Sequence, residues 1–326
     1  MTVVVERTGR PDLPLLRVTT DELVLVFAPT RGGRLLSLVA GGRELLWQDP
    51  ELVGPDLVPL FPVADWPASD GGMDTWANLG GSKTWPAPQG WSGPDEWAGP
   101  PDPVLDSGPW TAEWEADDAE ATVTLTSADD PRTGLRVVRE FRLLDGTSSF
   151  TERVTFTNTS TTTRRWSIWE VCQVDTGGLD GPDGPDGRPA RDAVVVVPHV
   201  GEADELDLGT YEGDLHSARR GHDVVLPLGT GVAKRGYPDA SGSVELHGPD
   251  GLEIGLATSP VEAATWPDGG SKVEVWLQRP TAAPIESLEG LHPSAHLVEL
   301  EVLGPLTTLA PGATSTLDVE WSTARL

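Results

Sequence analysis

The apolar residues of this chain occur in short segments in which apolar and polar positions alternate, and this pattern constrains the fold most. Such segments lie at residues 23–27, 121–126, 150–156, 243–247 and 272–277. They are separated by 30 prolines and 37 glycines, which mark turns and interrupt helices. Alternation with a period of two is typical of half-buried strands. The sequence therefore predicts an all-β fold, a sandwich of mostly antiparallel strands, and we expect one domain over residues 1–326.

Two segments interrupt this strand pattern. Residues 48–110 are rich in Trp, Pro and Gly and are too long for a plain connection, which predicts a functional loop region. Residues 175–192 have the Asp, Gly and Pro composition of a flexible loop. Asp180, Asp183 and Asp186 could offer oxygen ligands to calcium, but their spacing lacks the EF-hand order, which favours a solvated loop. We predict neither a metal nor a cofactor.

Charge and cysteine content exclude several classes of protein. A net charge of −28 argues against binding nucleic acid or an anionic membrane surface, because phosphate contacts need clustered cations. Cys172 is the only cysteine, so no intramolecular disulfide can form, and its apolar surroundings predict an inert buried thiol. The first residues lack a signal-peptide core, and no stretch of eighteen apolar residues occurs, so we expect a cytoplasmic protein without a membrane span.

Tryptophan is concentrated in one part of the chain, at positions 47, 66, 76, 85, 91, 97, 110 and 114. Indole faces cover the C–H face of a sugar ring while amides and charged groups bond its hydroxyls, although some of these rings can instead plug the sandwich core. Lys83 lies in this stretch and is one of only three lysines, whereas the other twenty basic residues are arginine. A retained lysine indicates a need for a compact ammonium. We predict a sugar-binding cleft that contains Lys83, Asn78, Trp85, Gln89 and Trp91.

Several motifs, in order along nearly the whole chain, resemble one superfamily. They are residues 31–47, the Gly-Gly-Ser-Lys-Thr-Trp-Pro-Ala-Pro-Gln stretch at 80–89, residues 158–160 and 166–169, residues 266–276, and residues 298–305 with 309–312. This order is similar to the galactose mutarotase-like (aldose 1-epimerase-like) β-supersandwich. Within it, the domain-of-unknown-function family number 4380 is the nearest resemblance. The resemblance implies a small-molecule sugar as the partner.

The resemblance also implies acid and base catalysis of sugar ring opening and closing, without a cofactor. The base in this superfamily is a glutamate on a late strand, where Glu299 and Glu301 both fit and share one strand face. Glu299 is favoured because it lies further from the turn at residues 304–305. The acid in the superfamily is a histidine, and residues 166–171 contain none. Its role is open to Lys83, Lys234, His199, His292 or His296.

The remaining candidate substrate-binding residues are Trp169, Glu170, Lys234 and Glu274. Lys83 and Lys234 could bind sugar hydroxyls, or a carboxylate or phosphate carried by a sugar. We therefore expect an aldose 1-epimerase-like isomerase acting on a monosaccharide or sugar derivative. The missing histidine favours the alternative of a non-catalytic carbohydrate-binding protein. A lyase or hydrolase on the same scaffold is a third alternative, because one fold can host many reactions.

Overall fold

The computed structural model describes residues 3–67, 76–90, 96–100, 102–176, 193–203, 205–213, 215–228, 231–248 and 251–324. Within these residues the chain forms two large antiparallel sheets, and its few helical turns are short 3-10 turns. The predicted all-β sandwich is confirmed. Trp91 and the candidate calcium ligands Asp180, Asp183 and Asp186 lie outside the described residues.

The larger sheet has twelve strands and carries the site described below. Its order is β1 (Val4–Arg10), β2 (Leu13–Thr19), β3 (Leu23–Ala28), β4 (Arg34–Ala40), β6 (Ser82–Ala87), β11 (Arg164–Asp175), β20 (Leu297–Leu303), β19 (Val273–Gln278), β16 (Gly231–Tyr237) and β13 (Leu206–Gly213). Two short strands lie off this path: β5 (Arg43–Glu44) pairs with β4, and β21 (Thr307–Leu309) pairs with β11.

The smaller sheet has ten strands and packs against the larger one. Its order is β14 (Ala218–Arg220), β15 (Asp223–Pro227), β12 (Val194–Pro198), β17 (Ser243–Gly248), β18 (Gly251–Ala257), β22 (Thr314–Thr323), β10 (Ser149–Asn158), β9 (Leu135–Leu144), β8 (Glu120–Thr126) and β7 (Thr111–Ala116). Its strands keep the alternation seen in the sequence. In β9, for example, Val137 and Phe141 are fully buried between the sheets, whereas Arg136 and Glu140 are exposed.

The region predicted as a functional loop contains a central strand, β6. This strand pairs with β11 from Ser82 to Ala87, but with β4 only at Ser82. Most of β6 therefore has one paired neighbour, which is where a strand tolerates Pro86, a residue without an amide donor. The sequence pattern did not predict this strand, because proline and glycine residues surround it.

A buried arginine joins the two sheets. Arg139 of β9 is fully buried and donates to Glu152 of β10 and Glu170 of β11 at 2.7 and 2.8 Å. It also donates to the carbonyls of Gly33 and Ser82 at 3.0 and 3.1 Å, and to the Ser82 hydroxyl at 2.7 Å. All five of its N–H groups are thus satisfied. Two buried carboxylates, one from each sheet, share this single cation.

We expect the substitution Arg139→Met to lower the free energy of unfolding by about 3–5 kcal/mol, because it leaves two buried carboxylates without a cation. Chemical denaturation with urea measures this change. The matched control is Arg153→Met, since Arg153 pairs with Asp318 on the exposed surface of the smaller sheet. Surface ion pairs contribute little to stability, so this control should change it little. Equal losses in both variants would contradict the role given to Arg139.

Candidate functional site

A cleft of about 530 Å³ lies on the face of the larger sheet that points away from the smaller sheet. The direction follows from β11, where Glu170 points inward to Arg139 and its neighbour Trp169 therefore points outward. The described residues that line the cleft are Trp47, Asp49, Trp76, Asn78, Trp85, Gln89, Pro100, Trp169, Gln173, Leu208, Tyr211, Lys234, Asp268, Glu274, Trp276, Gln278, Ser287, Leu288, Glu289, Leu291, His292, Pro293, Ser294 and Glu299.

Strand register places the charged residues of the cleft in two rows across the sheet. In one row Val171 of β11 lies opposite both Lys83 of β6 and Glu301 of β20, and Glu301 lies opposite Glu274 of β19. In the second row the order from β11 to β16 is Gln173, Glu299, Trp276 and Lys234. Residues far apart in sequence thus meet because their strands pair in this order.

The local backbone explains the two glycines that precede Lys83. Gly80 and Gly81 have positive φ angles of 93° and 73°. A Cβ atom on Gly80 would lie 2.1 Å from the Trp47 carbonyl oxygen, and one on Gly81 would lie 2.4 Å from that of Leu35. Only glycine fits this close approach. The Gly-Gly pair therefore lets β6 enter the sheet beside β4, which positions Lys83 under the cleft.

Glu299 is the member of the late glutamate pair that lines the cleft. Its Oε1 accepts a hydrogen bond from Gln173 Nε2 at 2.6 Å, and Lys83 Nζ lies 3.8 Å from the same oxygen. The Glu299 side chain is 13% exposed, whereas that of Lys83 has no exposed surface. The Glu299 carboxylate thus faces the cleft, while the Gln173 amide and the buried Lys83 ammonium contact it from the side away from the cleft.

Lys83 lies among aromatic rings below the cleft. Its Nζ is 4.8 Å from the centre of the Trp85 ring and 5.2 Å from that of Trp76, and it donates to Asn78 Oδ1 at 3.4 Å. Burial lowers the pKa of Lys83 to about 7, although the nearby Glu299 carboxylate opposes the shift. Lys83 is therefore an ammonium that can lose its proton near neutral pH.

A second buried ion pair holds Trp76 above Lys83. Trp76 Nε1 donates to Asp106 Oδ2 at 2.7 Å, and Arg34 donates to the other oxygen of Asp106 at 2.6 Å. Arg34 also donates to the Gly80 carbonyl at 2.8 Å. Arg34 thus fixes both Trp76, which lines the cleft, and the turn before β6.

Lys234 neutralises two carboxylates in the floor of the cleft. Its Nζ lies 2.7 Å from Glu274 Oε2, 3.1 Å from Glu301 Oε2 and 4.1 Å from the centre of the Trp169 ring. Burial alone would lower the pKa of Lys234, but Glu274 and Glu301 outweigh burial and raise it. Lys234 therefore stays charged, and its charge is already compensated.

Glu301 lies under the cleft and has no exposed surface. Its Oε2 accepts a hydrogen bond from Trp169 Nε1 at 2.6 Å. Burial raises the pKa of Glu301 to about 8, while Lys234 opposes the shift and Glu274 and Glu299 add to it. Glu301 is therefore placed to orient Trp169 and Lys234 and has no direct access to a ligand in the cleft.

Sequence reasoning missed Asp268, which lines the cleft from a 3-10 turn at residues Asp268–Gly270. Asp268 has a positive φ of 47°, and Gly269 and Gly270 follow it in the same region. Burial and the neighbouring Glu274 carboxylate raise the pKa of Asp268 to about 7. The available signal was the sequence Pro-Asp-Gly-Gly, which is typical of a turn that displays an aspartate.

The structure brings most of the sequence-predicted residues to the cleft. Those that line it are Asn78, Trp85, Gln89, Trp169, Lys234, Glu274 and Glu299. Lys83 and Glu301 lie directly beneath it, and Glu170 lies between the sheets on Arg139. Besides Asp268, sequence reasoning missed Gln173, Tyr211 and Trp276; the last two pack with ring centres 5.7 Å apart.

Of the candidate histidines, His292 lines the cleft, and its ring Nε2 lies 3.0 Å from the Thr281 carbonyl oxygen. His199 is buried elsewhere, with its ring edge against Tyr237. His296 is not among the described lining residues. In the described ranges, no three His, Cys, Asp or Glu side chains form a group that could hold a metal ion. Nor does any helix in those ranges have the length and apolar character needed to cross a bilayer.

Solved structures with the same architecture have very different sequences. A galactose mutarotase-like protein from Lactobacillus casei matches 95% of this chain and 100% of its own, with a TM-score of 0.56 and 14% identity. A galactose mutarotase-like protein from Clostridium acetobutylicum matches 100% of this chain and 99% of its own, with a TM-score of 0.57 and 8% identity.

The same fold also occurs as part of a longer protein. A TPR-domain containing protein from Parabacteroides distasonis matches 100% of this chain with a TM-score of 0.56 and 15% identity, and this chain spans 54% of its length. No family model matches the sequence, and no curated protein matches it. Identities this low show the fold alone: the chain has the galactose mutarotase-like β-sandwich fold.

The unusual environment of Lys83 can be measured directly, because Lys83, Lys234 and Lys272 are the only lysines. In protein labelled with ¹⁵N-lysine, we expect the Lys83 side-chain signal to titrate at about pH 7 and the Lys234 signal to stay that of an ammonium well above that pH. The variants Lys83→Met and Lys272→Met assign the signals. A Lys83 signal that titrates near 10.5, the ordinary lysine value, would contradict the effect of burial.

Proposed function

We propose that this protein is an aldose 1-epimerase-like isomerase that interconverts the anomers of a monosaccharide by ring opening and closing. The observation that carries the proposal is the position of Glu299. It faces a tryptophan-lined cleft while Gln173 and Lys83 hold its inner side. Membership of family 4380 and a cytoplasmic location stay predictions.

In the proposed reaction Glu299 acts as the general base. Its carboxylate removes the proton of the anomeric hydroxyl, the C–O bond to the ring oxygen breaks, and a carbonyl forms at the anomeric carbon. A proton donor supplies a proton to the ring oxygen. After rotation about the neighbouring C–C bond the same steps run in reverse and give the other anomer, with no net gain or loss of atoms.

Lys83 and Glu301 support this base from below. Neither has exposed surface, so neither touches a sugar in the cleft. The Lys83 Nζ lies 3.8 Å from the Glu299 carboxylate, and Gln173 orients that carboxylate through a hydrogen bond. Glu301 fixes Trp169, whose ring forms part of the cleft wall.

The charges of the cleft favour an uncharged sugar. Among the described lining residues five are carboxylates, one is lysine and none is arginine. The carboxylates are Asp49, Asp268, Glu274, Glu289 and Glu299. Lys83 and Lys234 are both already paired with carboxylates, so neither is free to hold a phosphate. Carboxylates accept hydrogen bonds from sugar hydroxyls, and tryptophan faces cover the C–H face of the ring.

A non-catalytic carbohydrate-binding protein is the second candidate function. It is favoured by the absence of histidine from residues 166–171, where the superfamily carries its acid. The same cleft would then bind a sugar without ring opening. Polarimetry of freshly dissolved α-glucose and α-galactose distinguishes the two functions. Binding without faster equilibration supports the second, and absence of both argues against each for these sugars.

We expect Glu299→Gln to lower the rate of mutarotation by about 100-fold or more, because an amide cannot accept the hydroxyl proton. The amide keeps the size of the side chain, so circular dichroism should be unchanged. Lys272→Met is the control, since Lys272 lies outside the described lining of the cleft. If Glu299→Gln kept full activity, Glu299 would not be the general base.

We expect glucose 6-phosphate to be a poorer substrate than glucose, with kcat/KM lower by about tenfold or more, because the cleft repels a phosphate. Raising the salt concentration should narrow this difference, since salt screens the repulsion. The rate at each salt concentration is compared with the uncatalysed rate in the same buffer. A preference for the phosphorylated sugar would contradict the uncharged substrate.

A further inference from the structure

Ring opening needs a proton donor that reaches the cleft, and three of the titratable groups in its lining are poorly suited to this role. Lys234 is bound by Glu274 and Glu301 and keeps its proton. The Nε2 of His292 lies against the Thr281 carbonyl, so in the neutral ring this nitrogen carries the hydrogen and the other nitrogen is only an acceptor. One oxygen of Glu274, Oε2, is occupied by Lys234 Nζ at 2.7 Å.

Asp268 differs from these groups in position and in surroundings. It is displayed from the left-handed turn at residues 268–270 and lines the cleft beside Glu274 of β19. That strand pairs with β20, and its Trp276 lies directly opposite Glu299. Asp268 and the proposed base therefore lie on different elements of the cleft wall, Asp268 on the turn before β19 and Glu299 on β20.

Asp49 is the other lining aspartate, and it is the weaker candidate: burial raises its pKa, but the hydrogen bond from the Glu51 amide opposes this shift. The amide of Asp49 donates to the Leu79 carbonyl at 3.3 Å, which places Asp49 on the β6 side of the cleft with Lys83. One of its oxygens already accepts the Glu51 amide at 2.8 Å. Asp49 thus lies on the Lys83 side of Glu299, whereas Asp268 lies on the Glu274 side.

We propose that Asp268 is the catalytic acid that protonates the ring oxygen, in the place of the histidine that this chain lacks. This inference rests on the proposed isomerase function. The protonated Asp268 carboxyl gives its proton to the ring oxygen as Glu299 takes the proton of the anomeric hydroxyl, and the two groups exchange these roles on ring closure.

Burial and the neighbouring charges leave Asp268 partly protonated near neutral pH. Glu274 of β19 and Glu96 raise its pKa, Lys234 of β16 lowers it, and burial adds the largest increase, so that the pKa is about 7. Glu299 faces a lysine and an amide instead. The two carboxyl groups thus differ in their surroundings: Asp268 lies beside carboxylates, whereas Glu299 lies beside a lysine and an amide.

The pH dependence of the rate separates Asp268 from Lys83, whose pKa is also about 7. An acid is active when protonated, so the rate should fall as pH rises through about 7. The substitution Glu274→Gln removes a negative charge that raises the pKa of Asp268, so this fall should move to lower pH. Lys83→Met and Asp49→Asn should leave this fall at the same pH, and Asp318→Asn on the exposed surface of the smaller sheet is the matched aspartate control.

We expect Asp268→Asn to lower the rate of mutarotation by about 100-fold or more and to abolish the fall near neutral pH. Asparagine tolerates the left-handed backbone as well as aspartate does, so the turn should persist. If the fall instead disappears in Lys83→Met, or Asp268→Asn keeps full activity, the assignment of the acid is overturned while the proposed function stands.

A measurement that does not depend on activity completes the test. In protein labelled with ¹³C at the aspartate carboxyl groups, the Asp268 signal, assigned by its loss in Asp268→Asn, should titrate near pH 7 and at lower pH in Glu274→Gln. If the Asp268 signal titrated near the ordinary aspartate value of 3.8, the acid role would be overturned, whatever the mutarotation rates of the variants. If the protein accelerates no sugar while Asp268 titrates near pH 7, the proposed isomerase function fails, and the acid role fails with it.

Discussion

The structure depends on the buried cation of Arg139, which connects the two sheets at the point where the site is built. Its guanidinium joins Glu152 in the smaller sheet to Glu170 in the larger one and also binds Ser82 at the start of β6. Buried carboxylates are costly without a cation, so this contact sets how the sheets pack. It also holds β6 and β11 in register, and these strands carry Lys83 and Trp169.

Strand β11 shows how one element serves both the core and the cleft. Side chains alternate between its two faces, so Glu170 and Cys172 point to the smaller sheet, whereas Trp169 and Gln173 point to the cleft. Both faces are buried, and the strand consequently has an almost continuous buried pattern. The network of Arg139 on one face therefore fixes the position of the site residues on the other.

Charge pairing gives the cleft its chemical character. Each buried lysine is matched by carboxylates, Lys83 by Glu299 and Lys234 by Glu274 with Glu301. The two lysines consequently neutralise neighbouring carboxylates and are not free to bind an anionic ligand. Asp268 lies beside the Glu274 carboxylate instead, and burial together with that charge raises its pKa to about 7. The proposed reaction depends on the different surroundings of these neighbouring carboxyl groups and not on how many there are.

The amino-acid sequence by itself determined the all-β sandwich, because alternation and turn residues report directly on strands. It also indicated Glu299 and Trp85 as cleft residues through motifs that resemble the mutarotase-like superfamily, and Lys234 as a candidate ligand because lysine is scarce. Only the tertiary structure decided that Glu170 belongs to the core, that Lys83 and Glu301 lie beneath the cleft, and that Asp268 stands in it. Strand order and register set these outcomes, and both depend on contacts between residues that are distant in sequence.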